Sequence, residues 1–110
     1  MAEPALPGIL AEIEAIAGRE AAISVALEFG GEELHIPSRE WLVRHPEHRL
    51  MRSLAPDLAL LVAARFCGAS EYIPRARRAC ACWMTAQGMG TMEIAARLGL
   101  SRSAVRRYAR

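Results

Sequence analysis

Five side chains near the end of the sequence have types and spacing suited to gripping a polyanion: Ser101, Arg102, Ser103, Arg106 and Arg107. On a helix, residues four apart share a face, so Arg102 stands beside Arg106 and Ser103 beside Arg107. Guanidinium forks match phosphate oxygens and the paired O6 and N7 acceptors of guanine, while serine hydroxyls and amides at a helix start hold phosphate. Arg75, Arg77, Arg78 and Arg97 add charge upstream, the first three near the start of a helical pattern, RARRACACWMTAQ. Positive charge there opposes the helix dipole, so these arginines point to solvent screening or to neutralising phosphates.

The remaining reactive side chains form no comparable set. His35, His45 and His48 fall close together, and H-P-E-H could supply two nitrogen ligands, but nothing nearby completes a tetrahedral site. No metal and no cofactor is expected. No serine, histidine and acid combination is indicated, so the expectation is a protein that is not an enzyme. Cys67, Cys80 and Cys82 cannot all pair within one chain, and Cys80 and Cys82 are one residue apart in a helical pattern. They are expected to be small buried hydrophobes in a reducing cytoplasmic setting. The N-terminus lacks the pattern of a signal peptide, and the longest apolar run, LALLVAA over 58–64, falls far short of the roughly 20 residues that span a membrane.

What must position these groups is a chain of 110 residues, room for one compact domain or two very small units. Hydrophobic residues make up 53% but aromatics only 5%, so the core is mostly alanine and leucine and favours closely packed helices. Ile9, Ile13 and Ile16 line one side of a helix that Gly18 ends, and a second helix follows from about Arg19 to Phe29, carrying Ile23 and Leu27. EELHIP is predicted as a short strand closed by Pro37. Ser38 can cap a helix carrying Trp41 and Leu42, Pro46 is placed to start another, and Pro56 begins DLALLVAARF.

The chain then repeats itself at an offset of 37: FGGEELHIP becomes FCGASEYIP, with Phe29, Gly31, Ile36 and Pro37 matched by Phe66, Gly68, Ile73 and Pro74. Each strand can offer the other a hydrogen-bonding edge, either within one chain or exchanged across two. Leu34 is matched by Glu71, so the copies are not identical.

After residue 74 the character changes. Ala79, Trp83 and Ala86 would share one side of a helix, Gly88 and Gly90 make a turn, and Thr91 can cap MEIAARL. Gly99 supplies a turn and Ser101 can cap RSAVRRYA, with Ala95 small where the helices cross and Ile94, Leu98, Leu100, Val105 and Tyr108 as the apolar set. This is helix-turn-helix spacing. Charge divides at the same place: residues 1–74 hold six arginines and eleven acids, a net of −5, whereas 75–110 hold eight arginines and only Glu93, a net of +7. The expected fold is mainly α, a small helical domain with a short two-stranded β element and a C-terminal helix-turn-helix. Residues 1–74 would form a duplicated platform for dimerisation, and 75–110 would bind double-stranded DNA. A homodimer is expected, because helix-turn-helix proteins often read paired half-sites with two-fold symmetry. Copies pairing within one chain would instead imitate a dimer core and leave one reading head per platform. A protein-interaction or phage-assembly adaptor that keeps the scaffold for structural reasons is the alternative.

An apolar helix, F-G-G, a strand ending in I-P, an arginine-bearing helix and E-I-A-x-x-L-G-L-S-x-S-A-V-x-x-Y together resemble the Mor transcription activator family of Mu-like phages and prophages. The resemblance covers most of 54–110, and its front half recurs in 17–37. It implies a dimerising N-terminal region and a DNA-binding helix-turn-helix that activates phage transcription, with possible contact to host RNA polymerase. By position it places the strand motif on Gly68, Tyr72, Ile73 and Pro74. The helix-turn-helix frame falls on Ala95, Gly99, Val105 and Tyr108, and the DNA-facing side on Ser101, Arg102, Ser103, Arg106 and Arg107. Cys67 replaces the first glycine of the pair, and the extra upstream copy lies outside the family pattern.

Overall fold

A computed structural model describes residues 3–109, among which lie eight helices and two strands. In chain order they are α1 (Ile9–Ala17), α2 (Arg19–Phe29), β1 (Glu33–His35), α3 (Arg39–Arg44), α4 (Arg49–Ser53), α5 (Pro56–Phe66), β2 (Ser70–Tyr72), α6 (Arg77–Ala86), α7 (Thr91–Leu98) and α8 (Arg102–Ala109). The protein is mainly helical, with one two-stranded antiparallel sheet. Pro7–Arg75 form one compact unit; a second gathers residues 76–109 together with 3–6.

In the first unit, α1 buries Ile9, Leu10 and Ile13 and packs on α2 and α5. Gly18, at φ 95°, joins α1 to α2 without the steric penalty a Cβ would bring. The 37-residue repeat is realised in three dimensions. Helices α2 and α5 are both 11 residues long and both end on a buried phenylalanine, Phe29 and Phe66. The next residues match in backbone, Gly30 at φ −55°, ψ 132° and Cys67 at φ −45°, ψ 124°. Gly31 and Gly68 follow at φ 86° and 77°.

The strands close on each other within the chain, pairing Glu33 with Tyr72, Leu34 with Glu71 and His35 with Ser70. Flanking bonds come in mated pairs. The Gly31 amide donates to the Ile73 carbonyl (2.7 Å) and the Gly68 amide to that of Ile36 (2.9 Å), while Ile73 donates to Glu32 and Ile36 to Ala69, both at 2.9 Å. Each bond maps onto its mate under the sequence offset with the copies exchanged, so a local two-fold axis runs through the Leu34 and Glu71 pair. Ile36 and Ile73 are fully buried just beyond the strands. Burying each such side chain contributes on the order of 2 kcal/mol.

The copies differ where their surroundings differ. Arg75 crosses Gly30 so closely that a Cβ there would lie 3.0 Å from the Arg75 Cα, and its guanidinium lies along Gly31. The axis mate of Arg75 is the shorter Ser38, so no arginine crosses the second copy at the equivalent place, where Cys67 stands for the first glycine.

Between the copies, α3 and α4 are anchored by buried Leu42, Leu50 and Leu54. Ser38 caps α3 as expected, its hydroxyl accepting from the Trp41 amide at 3.1 Å. Pro46 does not start α4: it sits in the preceding turn, and His48 is the cap, its Nδ1 accepting from the Leu50 amide at 3.1 Å. An aromatic nitrogen with a free lone pair serves there as a serine oxygen would. The strand expected over EELHIP narrows to Glu33–His35, because Ile36 turns inward. Cys67 is exposed rather than buried. No helix among the described residues is long and apolar enough to cross a membrane.

Candidate nucleic-acid interface

Three helices build the second unit, each packing on the other two. Helix α6 turns Ala79, Cys80, Ala81 and Met84 inward; Trp83 is half-buried and Ala86 exposed, so its apolar side is rotated from the expected Ala79, Trp83 and Ala86 line. The rotation favours Met84, whose flexible side chain fills the gap between crossing helices. The helix ends in a paired-carbonyl cap: the Gly88 amide donates to Thr85 and the Met89 amide back to Met84, at 3.0 and 3.1 Å, with Gly88 at φ 87°. Gly90 flanks α7, and Thr91 is its first helical residue rather than its cap.

The turn between α7 and α8 is set by Gly99 in the left-handed region, φ 66°, ψ 36°, with the Leu100 amide donating to the Ala95 carbonyl at 3.0 Å. Ile94 and Ala95 from α7 and Val105 from α8 are buried, and Leu98, Leu100 and Tyr108 are partly covered. Ser101 caps α8, its hydroxyl oxygen accepting from the Ala104 amide at 3.1 Å. The hydroxyl proton is left to donate outward.

Cys82 has a role that local sequence does not signal. Its Sγ donates to the Tyr108 carbonyl at 2.9 Å, a bond from α6 to the last turn of α8, where carbonyls lack intrahelical partners. The thiol thus helps fix the angle at which α8 is held. The interacting residues lie 26 positions apart, which explains why spacing alone could not reveal it.

With Val105 inward, Ser101, Arg102, Ser103, Arg106 and Arg107 are all exposed. Arg102, Ser103, Arg106 and Arg107 fall on one side of α8 by helical period, and Ser101 stands just before the helix as its cap. The Arg107 guanidinium lies over the Tyr108 ring, 5.6 Å from its centroid. Arg78 and Arg97 are exposed and Arg77 is half-buried. Among the described residues no ion pair engages Arg77, Arg78, Arg97, Arg102, Arg106 or Arg107. In the first unit Arg19 pairs with Glu14 (3.0 Å), Arg65 with Glu12 (2.9 Å), and Arg49 with Glu32 and Glu28 (3.2 and 3.5 Å), while Arg39, Arg44 and Arg52 make no ion pair among the described residues. Arg75 belongs to that first unit, packed on Gly30 and Gly31, and so lies outside the unit that carries α8.

The arrangement can hold anions and present hydrogen-bond forks along one helix. Among the described residues no group of three histidine, cysteine or acidic side chains could hold a metal ion. No curated protein and no solved structure matches the chain. Residues 73–110 do match a family, the homeodomain-like domain, so the C-terminal region is similar to a helix-turn-helix domain of the kind that marks DNA-binding regulators.

Proposed function

We propose that this protein is a transcriptional regulator that binds double-stranded DNA in a sequence-specific way through α8. The observation that carries the reading is the exposed α8 surface of Arg102, Arg106 and Arg107, with no acidic partner among the described residues, in a region similar to homeodomain-like domains. An α-helix fits the major groove, where Arg102, Arg106 and Arg107 would meet base edges and Ser101 and Ser103 the phosphates at the groove's rim. Arg77, Arg78 and Arg97 would neutralise backbone charge; Arg75 would join them only by leaving its packing on Gly31. The Mor-like motifs favour an activator of phage or prophage type that contacts host RNA polymerase. The repeated strands are paired inside one chain, so a homodimer would rest on the two-fold symmetry common to helix-turn-helix readers.

A binding selection on genomic fragments, followed by affinity measurements, tests this. The expected result is one enriched site and a loss of at least tenfold in affinity on Arg106→Glu with the fold intact. No enriched sequence, together with unchanged binding by the folded variant, would overturn it. A reporter downstream of the enriched site separates activation, in which expression rises, from repression.

A further inference from the structure

A two-fold symmetric interface between identical chains has a signature: if residue i of one chain meets j of the other, then j also meets i. The Pro7–Arg75 unit carries that signature inside a single chain. Glu33 meets Tyr72 while its copy, Ser70, meets His35, the copy of Tyr72. The amide bonds of Gly31 and Gly68, and of Ile36 and Ile73, obey the same exchange. We propose that this chain is its own dimer core and acts as a monomer, so that its DNA target is a single site without two-fold symmetry, read by one α8. This rests on the DNA-binding reading above.

Three observations favour a closed monomer over a chain that shares its strands. The segment joining the copies is packed rather than slack, with Leu42 and Leu50 fully buried and Arg49 bonded back to Glu28 and Glu32 of the first copy. Exchanging strands between chains would require part of this packed segment to open as a hinge. The outer edges of the ribbon are three residues long and carry Glu33 on one side, which discourages addition of another strand. Pairing of two β2 strands about the same axis would set Glu71 against a second Glu71, a like-charge cross-strand pair.

Two measurements test the proposal. Sedimentation of the full chain, alone and with a duplex bearing the enriched site, should give a mass near 12.0 kDa alone and one chain per duplex when bound. The enriched site should lack a palindrome. A mass twice as large, two chains per duplex, or half-sites about ten base pairs apart would overturn it while leaving DNA binding intact. If no duplex is enriched, the DNA reading fails and the mass still decides the monomer. In the second measurement, Cys67→Ser is combined with Glu33→Cys and Tyr72→Cys, both at exposed positions, and oxidised at low protein concentration. A disulfide within one chain is expected; a dimer whose disulfides, mapped by peptide digestion, join position 33 of one chain to position 72 of the other would show exchanged strands and refute the proposal.

Discussion

Ser101 and Ser103 stand two positions apart on the same helix start and do different work. Ser101 closes the first turn of α8 through the Ala104 amide, whereas Ser103 is exposed and makes no hydrogen bond among the described residues. Ser101→Ala should therefore cost about 1 kcal/mol of stability, and Ser103→Ala less than about 0.5. Thermal unfolding beside DNA affinity checks this: both variants should bind more weakly, and only the first should melt earlier. His48 offers a pH-dependent case. Burial, then the nearby Arg49 charge, holds its pKa below the ordinary value, and only its neutral form can accept from the Leu50 amide. Below about pH 6.5 the unfolded chain takes up the proton first, so stability should fall as pH drops through that region. Melting temperature at pH 7.5 and 5.5 should show a larger acid loss in the natural chain than in His48→Asn, which caps without titrating.

At the scale of elements, what was legible in the sequence is what local chemistry decides. Gly18, Ser38, Pro56 and Gly99 mark boundaries because each answers a requirement of its own turn or cap. The rotation of α6 and the Cys82 bond to Tyr108 were not legible, since both depend on where a distant helix lies. The turn at Gly99 yields a further expectation. A Cβ there would meet no neighbour within 4 Å, so Gly99→Ala isolates the backbone cost of the left-handed conformation, about 1 kcal/mol. Gly99→Asn should cost less and Gly99→Val more, an order that denaturant unfolding can check. For α8, Cys82→Ser retains a donor and Cys82→Val does not. Amide exchange in the last turn of α8 should quicken in the valine variant alone.

For the molecule as a whole, charge and fold divide at nearly the same residue. The acidic stretch folds as a unit in which arginines 19, 49 and 65 are paired, and the basic stretch folds as three helices with arginines 102, 106 and 107 exposed. If about four of the exposed arginines meet phosphates, the logarithm of DNA affinity should fall with that of salt at a slope of roughly −3 to −4, and Arg97→Ala should flatten it by about one. The sequence carried the helix-turn-helix and the duplication, but not how the duplicate strands pair, because a strand edge is chemically the same whether its partner lies 37 residues away or in another molecule. The outcome changes how the protein can vary. In a dimer of identical chains every mutation arrives twice, and a residue on the axis must tolerate its own image. Here Leu34 faces Glu71, and Cys67 stands where its counterpart is Gly30. Either copy can change at a position without the same change at its mate, so a substitution in one need not be mirrored in the other.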